Sequence, residues 1–430
     1  MLDSGVSYRR RIVDDALDEL LPELAAIALE GAKAVGKTAT AAQRARTLID
    51  LSDPATRQIT QANPDLITHS PTPVLIDEWQ LEPTIWDRVR RAVDADNSGG
   101  RFLLTGSAGV APGVPIHSGA GRIVSMRMRP LSLAERGVSE TRVSLRAVLG
   151  GNQPNIDGRS PVGLRGYVSE IVRSGFPGIR DLAQRARDLQ LDSYISRLVD
   201  HELAENGMSV RRPAVLRAWL AGYAAATSTD ASYTAILNAA TAGISDKPAR
   251  QTADVYREHL ERLFLLDPLP AWIPSFAPLR RLTHTPKHHL VDPALAARLI
   301  GISEDGLVRG EGVRVHAPDD TGTWLGALFE SLVVQSVRIY AEAAEAKVGH
   351  LRTKSTEHEI DVILERADRS LVAIEIKLSP TVDDKDVRHL LWLRGLLPDR
   401  VVDTIVVNTG DYAYRRRDGV AVIPLALIGP

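Results

Sequence analysis

The octet GAKAVGKT, Gly31 to Thr38, constrains this chain more than any other stretch. It fits Gly-x-x-x-x-Gly-Lys-Ser/Thr, and it lies between an apolar run, LAAIALE, and a helical stretch, TATAAQRARTL. A strand, a glycine-rich turn and a helix in that order aim successive backbone N–H groups at one point, where they cradle phosphate oxygens. Gly31 and Gly36 let the backbone approach closely. Lys37 is expected to hold the β- and γ-phosphates of ATP, and Thr38 to ligate Mg²⁺.

The surrounding third agrees. RTLIDLS, PVLIDE, RFLLTGS and RIVSMRM read as further strands, with helix EPTIWDRVRRAVD between PVLIDE and RFLLTGS, where Ile85, Val89 and Val93 recur at helical spacing. Apolar runs alternating with helical patterns predict an α/β domain with a mainly parallel sheet. Asp77 and Glu78 close PVLIDE. An acid at that strand end holds Mg²⁺ through water, and a second acid orients the attacking water. Thr105 and Ser107, in LLTGS, suit sensing of the γ-phosphate, and Arg122 is a candidate to stabilise transition-state charge in its own or a neighbouring subunit.

A chain of 430 residues exceeds one ordinary core, and its 44% hydrophobic and 25% charged composition is that of a globular protein. No run approaches the roughly eighteen apolar residues of a membrane span, and no signal core follows the first basic residues. With no Cys, disulfides and thiolate metal sites are excluded, and a reducing cytoplasm is expected. A net charge of −2 gives no global attraction to nucleic acid. DNA contact would need local patches: Arg9–Arg11, Arg88/Arg90/Arg91, LRRLTHTPKHH or Arg415–Arg417, each of which also reads as a solvated face.

From about 136 to 230 the pattern turns helical. SYTAILNAATAGISDKPARQTADVYREHLERLFLLDPLPAW then reads as a short helix, a turn centred on Gly243, a second helix and an extended segment, the order of a winged helix. The expected division is 1–135 for the ATPase core, 136–210 for a helical lid, 211–290 for the winged-helix-like part and 291–430 for a last α/β domain.

In that last part, LVAIEIKLS places Glu375 and Lys377 two apart on one face of an apolar strand. Buried charges need partners. HEIDVILE, joined to this strand by the turn RADRS, brings Asp361 to meet Glu375 across a hairpin, and Glu330 in LGALFESLVVQS is placed to reach in from the preceding helix. Two or three carboxylates and an ammonium can bind Mg²⁺ and polarise water against a phosphodiester. An inter-strand salt bridge would satisfy the same residues. The order of helix, strand acid and Glu-x-Lys strand resembles the PD-(D/E)xK endonuclease core.

Taken with LIDEWQ, LLTGS, GR…RPLSLAE, LERLFLLDPLPAW and HHLVDPALAARL, these motifs resemble the bacterial and archaeal AAA+-type ATPases with a C-terminal winged-helix and endonuclease-like region, over nearly the whole chain. The resemblance implies an ASCE-type P-loop fold with a small helical lid. It also implies nucleotide-binding roles for Lys37, Thr38, Asp77 and Glu78, and nuclease-like roles for Glu330, Asp361, Glu375 and Lys377. Trp79 departs from the family's smaller aliphatic residue, and core packing is its expected role. Two functions stand open: a DNA-acting ATPase with a metal-dependent nuclease-like end, or an ATP-gated switch whose last domain only binds nucleic acid or protein. Homo-oligomerisation fits either.

Overall fold

The computed structural model describes residues 8–107, 118–151, 154–202, 213–242, 250–274, 285–309, 324–353 and 357–430. The chain divides into two compact units, Met1–Arg129 with His201–Ser209 and His259–Leu265, and Pro130–Asp200 with Val210–Glu258 and Leu266–Pro430.

The first unit is built on strands β1 (Ala26–Glu30), β2 (Thr47–Asp50), β3 (Val74–Asp77), β4 (Phe102–Gly106) and β5 (Val124–Arg127). Every pairing is parallel, in the order β2-β3-β4-β1-β5. β4 therefore separates β1 from β3, the additional-strand arrangement that the resemblance implies. Both faces of the sheet are covered, which is why the inner strands read as unbroken apolar runs. Ala26, Ala28, Val74, Ile76, Phe102 and Leu104 pack with Ile85, Val89 and Val93 of helix Thr84–Ala95. Ile27, Leu29, Leu75 and Leu103 turn the other way, onto Leu17 of helix Ile12–Leu20. Period-two alternation thus assigns the apolar residues of the inner strands β1, β3 and β4 to one of two cores.

The second unit carries a mixed six-stranded sheet in the order Tyr414–Arg415, Ala421–Pro424, Val401–Asn408, Leu371–Ile376, Glu359–Glu365, Lys347–Arg352. Helix Trp324–Ala343 is buried on nearly every side, as its apolar composition requires. Helix Asp384–Leu396 lays Val387, Leu390 and Leu393 against Leu371, Ala373, Val401 and Val406. In the stretch read as a winged helix, helices Tyr233–Ala240 and Arg250–Arg262 are present, and the Gly243 turn lies outside the described residues. The extended segment after them pairs back through isolated antiparallel bridges, Leu266 with Leu290 and Leu269 with Lys287. Among the described residues, no helix is long and apolar enough to cross a membrane.

Candidate nucleotide site and the C-terminal acidic cluster

β1 delivers the phosphate loop, and the backbone explains its glycines. A Cβ on Gly31 would lie 2.1 Å from the Met128 carbonyl oxygen, so the tight pass between β1 and the residue after β5 admits only glycine. Ala34 (φ 66°) and Gly36 (φ 100°) are left-handed, a region that costs a residue bearing a Cβ about 1 kcal/mol or more. Arg11 braces the loop from below: it is buried, donating from Nη1 to the Val35 carbonyl (2.8 Å) and from Nη2 to the Arg129 carbonyl (2.8 Å). In sequence Arg11 reads only as part of a basic patch.

Lys37 Nζ donates to the carbonyls of Gly31 (2.8 Å) and Ala32 (2.9 Å) and is almost fully buried. Burial lowers its pKa to about 8, against the pull of Glu78 and Asp77. Asp77 Oδ1 accepts from the hydroxyls of Thr38 (2.8 Å) and Thr105, which link the helix after the loop, β3 and β4 in one network. Burial raises the Asp77 pKa, and the two hydroxyls oppose that rise. Glu78 leaves β3 in a left-handed conformation (φ 53°), and its Oε2 is clamped by Ser107 Oγ (2.9 Å) and Gln80 Nε2. Trp79 packs against Trp86 inside the core, with ring centroids 4.5 Å apart and planes tilted by 34°.

Arg122 stands elsewhere. Its Nε donates to Asp94 Oδ1 (2.8 Å) and its Nη1 to the Ala120 carbonyl (3.2 Å), so the structure ties it to the end of helix Thr84–Ala95 rather than to Lys37, Thr38, Asp77 or Glu78. Thr105 likewise serves Asp77 in this structure.

The residues of the first site fit a Mg²⁺–nucleotide. Thr38 and Asp77 would hold the ion, the second through water, and Lys37 would take the phosphates. A polyphosphate beside Lys37 restores the proton that burial weakens. ATP binding at pH 9 is therefore expected to take up most of one proton, and at pH 7 almost none. Calorimetry in buffers of different ionisation enthalpy reads the difference, and equal uptake at both pH values would contradict the depressed Lys37 pKa.

In the second unit the Glu359–Glu365 and Leu371–Ile376 strands pair with Val362 opposite Ile374, a register that sets Asp361 against Glu375. Asp361 Oδ2 accepts from the Ile376 amide (2.9 Å), and Lys377 Nζ from just beyond the strand donates to Glu375 Oε1 (2.8 Å). The structure thus brings Glu330, Asp361, Glu375 and Lys377 into one neighbourhood, and it adds a residue the motifs did not flag. Lys287, 2% exposed, places its Nζ 2.8 Å from Asp361 Oδ1, 3.0 Å from Glu330 Oε1 and 3.1 Å from Glu359 Oε1. Burial raises Glu330 to about 7 and Glu375 to about 8. Asp361, which burial alone would raise, is held below its usual value by Lys287 and Lys377.

Of the other basic patches, residues 279–284 of LRRLTHTPKHH lie outside the described residues, and several arginines of the rest are paired. Arg10 meets Asp15 and Asp18, Arg90 meets Asp87 and Asp94, Arg415 meets Asp403, and Arg416 meets Asp384 and Asp418.

Residues 24–136 match a family described as AAA domain, and residues 164–306 and 325–428 match two families each described as a domain of unknown function, DUF8612 and DUF4143. No curated protein matches the chain. Among solved structures, a Walker-type ATPase of Pyrococcus abyssi is similar at 15% identity and a TM-score of 0.39, over 69% of this chain and 97% of that one. Drosophila ORC bound to DNA is similar at 14% identity and a TM-score of 0.21, over 59% and 86%. The match over 24–136 coincides with the parallel sheet and the phosphate loop, and together they support a P-loop ATPase fold of the AAA type for the first unit.

Proposed function

We propose that the chain is an ATP-hydrolysing switch whose second unit engages a nucleic-acid backbone, DNA in the first instance. The observation that carries the ATPase reading is the bonded set Thr38–Asp77–Thr105 beside Lys37, with Glu78 clamped next to it. Lys37 would draw the terminal phosphates into the loop, Thr38 and Asp77 would seat Mg²⁺, and Glu78 would orient the attacking water. A polarised carboxylate held by Ser107 and Gln80 suits that last task, because its position is fixed before substrate arrives. The absence of Cys supports a cytoplasmic setting.

For the second unit, Lys377 supports backbone binding: it lies at a strand end beside Glu375 and is partly exposed, so it can meet a phosphodiester. Metal-dependent cleavage by Asp361, Glu375 and Lys377 is the second reading, favoured by their register across adjacent strands. Lys287 among the same acids weighs toward binding without cleavage.

The test is incubation with Mg²⁺ or Mn²⁺ and supercoiled, linear and single-stranded DNA, with and without ATP. ATP turnover with DNA bound and intact is the expected result. Cleavage that disappears in Glu375→Ala establishes the second reading, and a chain that turns over no ATP under any of these conditions overturns the first.

A further inference from the structure

We propose that Lys287 is the resident cation of the C-terminal acidic cluster: its ammonium stands where a divalent metal would have to sit, and it closes to metal a site that its removal opens. This inference concerns the second unit alone and does not depend on ATP hydrolysis by the first.

The geometry is that of a filled coordination site. An ammonium has three N–H donors and no acceptor. Lys287 meets three carboxylate oxygens, of Asp361, Glu330 and Glu359, at 2.8, 3.0 and 3.1 Å. The ammonium donates hydrogen bonds to Asp361 and Glu330 and forms an ion pair with Glu359, so these oxygens gather on the nitrogen and not on a free point between them. Mg²⁺ needs oxygens at about 2.0–2.1 Å in octahedral array, which these oxygens cannot supply while the nitrogen lies among them. Consistently, among the described residues no group of three or more His, Cys, Asp and Glu side chains stands in an arrangement that would hold a metal.

Nor is the lysine free to leave. Its backbone is locked to Leu269 by two hydrogen bonds of 2.9 Å, and its side chain is 3% exposed. A metal entering would strand a buried ammonium.

A second observation shows that the acids are arranged for more than this one ion pair. Glu375 is 6% exposed, and its Oε2 is buried without a hydrogen-bond partner. Its other oxygen is held by Lys377 at 2.8 Å. Asp361 spans the two lysines, accepting from Lys287 and standing opposite Glu375 in register. With Lys287 replaced by a neutral side chain, Asp361, Glu330 and Glu359 lose their shared cation, and their oxygens are of the hard type that Mg²⁺ and Mn²⁺ favour.

The test uses the nucleotide-free full-length chain and Mn²⁺ alone, followed by electron paramagnetic resonance of the free ion. The unaltered chain is expected to bind no Mn²⁺ whose retention depends on Asp361: it and Asp361→Asn give the same titration. Lys287→Met is expected to gain about one Mn²⁺ per chain with at least tenfold tighter binding, and Lys287→Met/Asp361→Asn to lose it. The Asp361 comparison also separates this site from any ion at Asp77. Asp361-dependent Mn²⁺ binding by the unaltered chain overturns the proposal, as does a folded Lys287→Met that gains no ion. If Lys287→Met does not fold, the unaltered chain against Asp361→Asn decides it alone.

Discussion

Lys37→Ala is expected to lower ATP turnover by roughly 10²–10³-fold, the usual cost of losing one preorganised charge-stabilising group at a reacting centre. The Lys37 ammonium rests on the Gly31 and Ala32 carbonyls, so the loop is curled around its cation. Removing the ammonium deletes both the charge and that anchor, and binding suffers along with chemistry. Saturating ATP at 100 times its dissociation constant would stabilise the unaltered protein by about 2.7 kcal/mol, read as a rise in melting temperature. Lys37→Ala is expected to lose most of that rise. Glu78→Gln separates the steps: it keeps the clamp from Ser107 and the thermal shift, but loses turnover by a similar factor because an amide cannot accept the water's proton. Turnover preserved in Lys37→Ala would remove the loop from the reaction.

How much of this was legible in sequence depends on how far apart the partners lie. The inner strands of the first unit, β1, β3 and β4, could be read because a parallel sheet covered on both faces needs continuous apolar runs, as in Ala26–Leu29 and Phe102–Leu104. The loop could be read because Gly31, Gly36, Lys37 and Thr38 act within one turn of chain. Glu375 and Lys377 revealed themselves because side chains two apart on a strand share a face. Lys287 did not. Its partners Glu330 and Asp361 are 43 and 74 residues away, and in THTPKHH it looks like any solvated cation. Arg11 hid in the same way, since its acceptors Val35 and Arg129 lie 24 and 118 residues on. Local pattern reports which face a residue takes, whereas a buried charge is explained by a partner that only the tertiary fold supplies. Arg122 differs again: its motif context suggested a role at phosphate in its own or a neighbouring subunit, and within this chain its guanidinium is bonded to Asp94.

Glu170→Leu should have the largest effect on stability. Glu170 lies between two buried arginines, Arg136 at 3.1 Å and Arg180 at 3.2 Å, and all three are at most 5% exposed. Although burial alone would raise it, the two guanidinium groups hold the Glu170 carboxylate below its usual pKa. Arg136 also donates to the Leu131 and Glu170 carbonyls and to Gln335 Oε1 (3.1 Å), while Gln335 Nε2 donates to the Val291 carbonyl (2.9 Å). The network therefore fixes helix Leu164–Arg173 to helix Trp324–Ala343, the helix that presents Glu330. Leucine matches the volume, but it leaves both cations buried beside an apolar side chain. Breaking a buried pair from one side costs about 3–5 kcal/mol, which for a unit of this size lowers the melting temperature by on the order of 10 °C. The exposed Arg10, paired with Asp15 and Asp18, serves as the control, since its replacement by alanine should leave the melting temperature nearly unchanged. Glu170→Leu/Arg180→Leu should recover part of the loss, because it removes one of the two stranded charges along with the carboxylate. Calorimetric melts of the three variants decide the point. If Glu170→Leu melts within a degree or two of the unaltered chain, the arginines find other partners, and the network does not hold the helix that carries Glu330.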